Sequence, residues 1–160
     1  MDPITLVGGG QATPEDLHEA LTLSEGCVAA DGGAALVLSQ GVPLDALIGD
    51  FDSVTADQRA AVPAERQHHV TEQDSTDFEK ALCRIVAPVV LGVGFLGGRM
   101  DHQMAALHVL LRYPERPCIL IGAHELTFLA PPQIALPTKV EDVVSVFPCL
   151  LYTSPSPRDS

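Results

Sequence analysis

Short apolar runs alternate along this chain with stretches that carry helix signals, and this alternation restricts the fold more than any other feature. The apolar runs lie at residues 4–7, 27–30, 47–48, 89–93 and 118–121, and their length is typical of buried strands. Between them, Thr13, Thr55 and Thr76 stand where helix N-caps are expected. The pattern predicts an α/β fold: a parallel sheet with helices on both faces, which binds ligands beyond the carboxyl ends of its strands.

Two of the predicted helices carry apolar stripes at helical spacing. One begins at Thr76 and the other runs from Asp101 to Arg112, before Pro114. The first stripe consists of Phe78, Ala81, Leu82, Ile85 and Val86, and the second helix is expected to bury Met104, Leu107 and Leu111.

The helix signal ends near residue 125. Residues 126–129 and 143–147 are expected to form strands, separated by prolines. We therefore predict a first domain over 1–124 and the start of a β-rich domain over 125–150, which is too short to close a sheet around its own core. Residues 151–160 change abruptly to a polar, proline-bearing composition and are expected to be a disordered tail, with an artificial extension as one explanation.

Charge and cysteine usage restrict the class of function. The formal net charge is −12, and residues 1–58 hold ten acids but no Lys or Arg, which argues against nucleic acid as a partner. A phosphorylated substrate would then need a divalent metal. No apolar run approaches the roughly 18 to 20 residues of a membrane span, and no secretory signal is visible. The four cysteines have no metal-binding spacing, so we expect reduced thiols and a cytoplasmic location.

The strongest motif is Gly49-Asp-Phe-Asp-Ser53, which directly follows a predicted strand. In extended chain Asp50 and Asp52 point to the same side, and their like charges favour a cation between them. Carboxylate oxygens suit Mg²⁺. An ordinary acidic turn explains the same residues equally well.

Three further segments carry polar groups at the ends of strands or the starts of helices. Asp31 is followed by two glycines, which would let a nucleotide approach the backbone, or which form a simple strand-to-helix turn. Asp77 begins a helix, where an acid complements the dipole and free N–H groups suit a phosphate. Arg99 is expected either to bind a phosphate or to pair with Asp101 at the surface.

Other sequence patterns give weaker indications of function. Residues 92–97 fit GxGxxG, but the next helix begins too late and the expected acid is missing, so a nicotinamide-dependent oxidoreductase is a weak alternative. The glycines at 8–10 lack the Lys-Ser/Thr of a P-loop. We expect His68 and His69 in a strand and His108 in the core, since no second ligand lies at metal spacing.

Taken in order, four segments resemble the thiamine pyrophosphokinase family over residues 4–149. They are Ala30-Asp-Gly-Gly-Ala34, Gly49-Asp-Phe-Asp-Ser53, Gln73-Asp-Ser-Thr-Asp-Phe-Glu79 and Gly97-Gly-Arg-Met-Asp-His102. The resemblance implies transfer of a pyrophosphoryl group from ATP to the thiamine hydroxyl, giving thiamine diphosphate and AMP. It also implies an α/β ATP-binding domain followed by a thiamine-binding β-sandwich, in a homodimer.

Carried over by position, the resemblance implies that Asp50, Asp52 and Asp77 hold Mg²⁺ on the ATP phosphates and that Arg99 acts with them in catalysis. It implies a nucleotide and phosphate site lined by Asp31, Gly32, Gly33, Gln73, Thr76, Arg99, Asp101 and His102. Transfer at phosphorus needs mainly positioning and charge neutralisation.

The sequence departs from the family near its end. Family members continue into a segment that supplies a Trp and a Ser to the thiamine site, whereas this chain has no Trp. We therefore expect a C-terminally truncated pyrophosphokinase that retains affinity for Mg·ATP and binds thiamine poorly. The alternative is a nucleotide-binding module without turnover.

Overall fold

The computed structural model describes residues 1–148 of the chain. Contacts divide the chain into two units at Leu129 and Ala130. No helix among the described residues is long and apolar enough to cross a membrane.

The first unit contains one seven-stranded sheet with the strand order β4-β3-β2-β1-β5-β6-β7. All neighbouring strands are parallel except β6 and β7, which are antiparallel. The strands are β1 Ile4–Val7, β2 Gly26–Ala30, β3 Ala46–Gly49, β4 Gln67–His69, β5 Val90–Val93, β6 Cys118–Ile121 and β7 Leu126–Phe128. The helices are α1 Pro14–Thr22, α2 Ala34–Ser39, α3 Ala56–Ala60, α4 Asp77–Leu82 and α5 Met100–Arg112.

Both faces of the sheet are covered, as the alternation predicts. Successive residues of a strand point to opposite faces, so Leu6 packs into the cluster that contains Phe78 of α4 and Val109 of α5. Its neighbour Val7 packs into the other cluster, with Leu17 of α1 and Val37 of α2. The predicted α/β class with a parallel, doubly covered sheet is confirmed.

The helix starts follow the predicted cap chemistry. Thr13 and Thr55 each form a complete capping box with the third residue of the helix. The Thr76 side chain accepts a hydrogen bond from the Glu79 backbone N–H at 3.2 Å. The Glu79 carboxylate does not complete that box, because it accepts a hydrogen bond from the Tyr113 hydroxyl at 2.6 Å. This second bond joins α4 to the end of α5.

Three predictions about helical residues are wrong in detail. α4 ends at Leu82 and leaves Val86 77% exposed, because the chain must turn toward β5 and Pro88 disfavours helix at the residue before it. Met104 is 62% exposed, since α5 packs through Ala106, Val109 and Leu110, a set that also fits one face of a helix. His108 lies in α5 but is exposed rather than in the core.

The C-terminal part differs from the expected pattern of strands. β7 is present near the predicted position, but it extends the sheet of the first unit by pairing with β6. Residues 143–147 form no strand, and no strand occurs in residues 130–148, a segment too short to supply partners for one. The predicted tail at 151–160 lies outside the described residues.

The cysteines that the structure describes, Cys27, Cys83 and Cys118, are free thiols, as expected. Burial raises the pKa of Cys27 and of Cys118 to about 12, so both thiols stay protonated and serve as core residues.

Candidate active site

A cleft of about 490 Å³ opens at the carboxyl ends of β1, β2, β3 and β5. The strand order reverses between β1 and β5, because β2, β3 and β4 lie on one side of β1 while β5 lies on the other. Ligand sites of parallel sheets are typical of such a switch point. A smaller pocket of about 240 Å³ lies elsewhere, between Leu38 and Arg66, and contains none of the predicted site residues.

Glycine backbone forms one wall of this cleft. Gly8, Gly9 and Gly10 follow β1, and Gly94 follows β5. At Gly33, which starts the turn into α2, an added Cβ would lie 2.0 Å from the Val7 carbonyl oxygen. The role of Gly33 is therefore close packing of backbone beneath the cleft, and Gly32, rather than Gly33, lines the cleft itself.

Asp31 lies at the base of the cleft and is only 3% exposed. Its φ of 42° is unusual for a residue with a side chain. Oδ2 accepts a hydrogen bond from the Ser53 N–H at 3.0 Å, whereas Oδ1 is buried without a hydrogen-bond partner in the part of the chain that the structure describes. A buried carboxylate oxygen without a partner is costly, so this cleft favours a ligand that brings positive charge or a hydrogen-bond donor.

Asp50 follows β3 and lines the same cleft. Its Oδ1 accepts the Asp52 N–H at 3.0 Å, and its Oδ2 accepts a hydrogen bond from Gln73 Nε2 at 3.3 Å. The hydrogen bond from the Asp52 backbone, more than that from Gln73, holds the pKa of Asp50 below its ordinary value. Asp50 is thus an anion at neutral pH. Asp52 itself is exposed and does not line the cleft.

Asp77 begins α4 and faces the cleft beside Lys80. Its carboxyl pKa is raised, first by burial and then by the negative charge of Asp31, with a smaller contribution from Asp50. Lys80 opposes this shift, and its Nζ lies 3.8 Å from Asp77 Oδ1. Asp31, Asp50 and Asp77 therefore share the lining of the cleft, whereas Asp52 of the Asp-Phe-Asp motif is outside it.

Lys80 is the functional candidate that sequence reasoning missed. It is 3% exposed and lines the cleft together with Asp31, Asp50 and Asp77. Its spacing from Asp77 was the available signal. An acid and a lysine at i and i+3 of a helix lie on neighbouring surface positions, and Asp77 is itself a predicted ligand. The apolar stripe of Phe78, Ala81 and Leu82 in the same helix concealed it as part of a packing face.

The remaining predicted residues divide into two groups. Gln73, Thr76, His102 and Arg99 line the cleft, whereas Asp101 does not. Arg99 and Asp101 form a two-point ion pair, with Nη2 to Oδ2 at 2.6 Å and Nε to Oδ1 at 3.1 Å. The Arg99 guanidinium lowers the pKa of Asp101. Arg99 thus pairs with Asp101, as one interpretation predicted, and it also lines the cleft, where its binding of a phosphate stays a prediction.

The carboxylates of the cleft suit a hard cation that also binds the ligand. They do not form a closed set of protein ligands around a metal ion. Among residues 1–148, no three His, Cys, Asp or Glu side chains are gathered closely enough to hold a metal ion by themselves. Mg²⁺ commonly takes one or two carboxylates and completes its shell with water and substrate phosphates. The carboxylates at the cleft and the unpaired oxygen of Asp31 fit that mode.

Fold and cleft together define the class: a doubly wound α/β domain with a polar, charge-lined ligand site at the switch point of its sheet. The family follows from comparison, since a model described as "Thiamin pyrophosphokinase, catalytic domain" matches residues 17–121. The chain belongs to the thiamin pyrophosphokinase family.

Individual relatives agree with this assignment. Thiamine pyrophosphokinase 1 of Arabidopsis thaliana is 30% identical over an alignment of 112 residues that covers 61% of this chain and 41% of that protein. The thiamin pyrophosphokinase structure from Geobacillus thermodenitrificans is 32% identical with a TM-score of 0.61, covering 74% of this chain and 59% of that one. The Bacillus subtilis structure is 28% identical with a TM-score of 0.61, covering 74% and 60%. The chain spans about two fifths of the length of the Arabidopsis relative.

Proposed function

We propose that this chain is the ATP-binding part of a thiamine diphosphokinase, which transfers a pyrophosphoryl group from ATP to the thiamine hydroxyl and releases AMP. The observation that carries the proposal is the cleft lined by Asp31, Asp50, Asp77 and the buried Lys80 beside glycine backbone. Family membership gives the reaction, and the cleft offers the kind of charge that a metal-bound polyphosphate needs.

We propose that Mg²⁺ is held by Asp50 and Asp77, the two predicted ligands that line the cleft. Asp52, the third predicted ligand, is exposed outside the lining, and we propose that it acts through water bound to the ion. When bound, Mg²⁺ neutralises phosphate charge and favours transfer at phosphorus. Asp31 is the natural acceptor for a water or donor group at the base of the cleft, because its Oδ1 is unsatisfied.

The chain's own cationic and polar groups supply the remaining contacts. Lys80 and Arg99 offer positive charge from opposite parts of the lining, α4 and the residue before α5. Gln73, Thr76 and His102 offer hydrogen-bonding groups. In the proposed reaction the thiamine hydroxyl oxygen bonds to the β-phosphorus, and the bond from that phosphorus to the oxygen it shares with the α-phosphorus breaks. AMP leaves with that shared oxygen, and the hydroxyl proton is released to water.

The proposal extends to organisation and location. We propose a homodimer with a cytoplasmic location. We also propose that the nucleotide-binding part, predicted over 1–124, extends through β7 to Leu129 and is followed by residues that belong to a thiamine-binding β-rich part. The free thiols Cys27, Cys83 and Cys118 are compatible with a reducing compartment.

Calorimetric titration with ATP, with and without Mg²⁺, tests the proposed site. Asp50→Asn should abolish the Mg²⁺-dependent part of binding, whereas Asp57→Asn, which removes the same charge from an exposed helix start, should not. ATP affinity that is indifferent to Mg²⁺, or equal loss in both variants, would refute the metal site. With thiamine added, AMP formed in step with thiamine diphosphate supports the reaction, and formation of ADP contradicts it.

A further inference from the structure

The loop that carries Asp50 has a backbone conformation that needs support. Phe51, between the two aspartates, has a φ of 68° and is only 7% exposed. An aromatic residue rarely adopts this left-handed region, because its Cβ crowds the backbone. Something outside the loop must therefore hold Phe51 in place if Asp50 is to keep its position at the cleft.

His69, the last residue of β4, makes two contacts to this loop. Its ring is stacked on the Phe51 ring, with centroids 5.1 Å apart and planes inclined by 16°. Its Nε2 lies 3.0 Å from the Asp50 carbonyl oxygen, a distance at which a protonated Nε2 donates a hydrogen bond. One side chain thus restrains two successive residues of the loop.

Neighbouring contacts strengthen this arrangement. The Arg59 guanidinium carbon lies 4.8 Å from the Phe51 ring centroid. Gln67, at the start of β4, donates from Nε2 to the Arg59 carbonyl at 2.9 Å, and the Val70 N–H donates to the Gly49 carbonyl at 2.7 Å. The loop is therefore fixed from the β4 side at Gly49, Asp50 and Phe51.

We propose that His69 is a positioning residue for the metal-binding loop, holding Phe51 in its left-handed conformation so that the Asp50 carboxylate faces the cleft. The proposal rests on the function proposed above, because it assigns His69 a role in Mg²⁺-dependent nucleotide binding. His69 itself does not line the cleft.

The adjacent histidine provides a matched control. His68 lies on the same strand and is exposed like His69, yet within residues 1–148 its side chain makes no hydrogen bond or ring contact to the loop. Both histidines are exposed, so neither replacement removes a buried side chain. Only His69→Ala removes a ring contact to Phe51. A difference between His69→Ala and His68→Ala therefore reports on the loop.

Two measurements on the whole chain test the proposal. In calorimetric titration at fixed Mg²⁺, His69→Ala should bind ATP about five- to tenfold more weakly than His68→Ala, the loss typical of a removed hydrogen bond and ring contact. His69→Gln should recover part of that affinity, because its amide N–H can replace the donor. In hydrogen exchange, the amides of Asp52 and Ser53 should exchange several-fold faster in His69→Ala than in His68→Ala.

The outcomes separate this inference from the proposed function. Equal ATP affinity and equal exchange in the two alanine variants would overturn the role of His69, even if the wild-type chain binds Mg·ATP. Equal loss in His69→Gln and His69→Ala would overturn the hydrogen bond to Asp50. A wild-type chain that does not bind Mg·ATP would overturn the proposed function and the role in nucleotide binding with it, and the exchange data would still decide whether His69 holds the loop.

Discussion

Replacing Lys80 by Met tests whether the cleft depends on its buried cation. The Lys80 Nζ lies 3.8 Å from Asp77 Oδ1. At that separation the attraction between unit charges is about 1 kcal/mol in bulk water and about 4 kcal/mol at an effective dielectric constant near 20. The Asp77 side chain is 41% exposed, so the lower part of this range applies. A phosphate oxygen at a similar distance from Lys80 Nζ would be attracted by a similar free energy.

Lys80→Met should therefore weaken Mg·ATP binding roughly 10- to 100-fold, since about 1.4 kcal/mol corresponds to a factor of ten. It should also move the onset of Mg²⁺-dependent binding to higher pH, because Lys80 counteracts the raised pKa of Asp77. The assay is calorimetric titration with ATP across a pH series. Lys139→Met is the matched control, since it removes the same charge from an exposed lysine outside the first unit.

Equal affinity in Lys80→Met and Lys139→Met would refute this reasoning. So would a loss of affinity in Lys80→Met without any change in its pH dependence, because the argument makes Lys80 act on Asp77 as well as on the ligand.

Other perturbations give distinct results. In the absence of Mg²⁺, Asp77→Asn should make the free energy of unfolding in urea less dependent on pH. Folding raises the pKa of the Asp77 carboxyl, so the stability of the protein falls as the pH rises from the ordinary pKa through the raised one. The asparagine amide does not titrate and causes no such fall. Tyr113→Phe should lower the free energy of unfolding in urea by about 1–3 kcal/mol, because the mostly buried Glu79 loses a hydrogen bond; a change below about 0.5 kcal/mol would contradict this. Gly33→Ala should lower the thermal midpoint, as its Cβ would meet backbone at 2.0 Å, whereas Gly98→Ala meets nothing within 4 Å and should have little effect.

Local chemistry made most of the fold predictable. The strands at 4–7 and 118–121 have the predicted bounds, and the three threonine caps begin helices as expected. These features depend on residues within a few positions of one another. The exposure of Met104 was not predictable in this way, since several sets of residues share helical spacing and only the packing partner selects among them. Val86 is exposed for a different reason, because α4 ends at Leu82, and Pro88 is a local signal for an early end of that helix.

The site was harder to predict than the fold. Spacing within the motif suggested Asp50 with Asp52, but sheet order places Asp31 and Asp77 near Asp50 by aligning the ends of β2 and β3 beside α4. Whether these side chains lie near one another depends on which strands become neighbours in the sheet. No local sequence pattern specifies this strand order. The burial of Lys80 and the contact of His69 with Phe51 are hidden for the same reason.

The cleft draws its walls from segments that stretch from Gly8 to Ala106. No single segment supplies half of the residues that line the cleft, so a ligand can bind only after the central strands have assembled into the sheet. Ligand binding and completion of folding are thus linked in one equilibrium, and bound nucleotide would raise the melting temperature in proportion to the logarithm of its concentration above Kd. Protection of this whole stretch from proteolysis would accompany saturation, which makes resistance to a protease a sensitive reporter of occupancy.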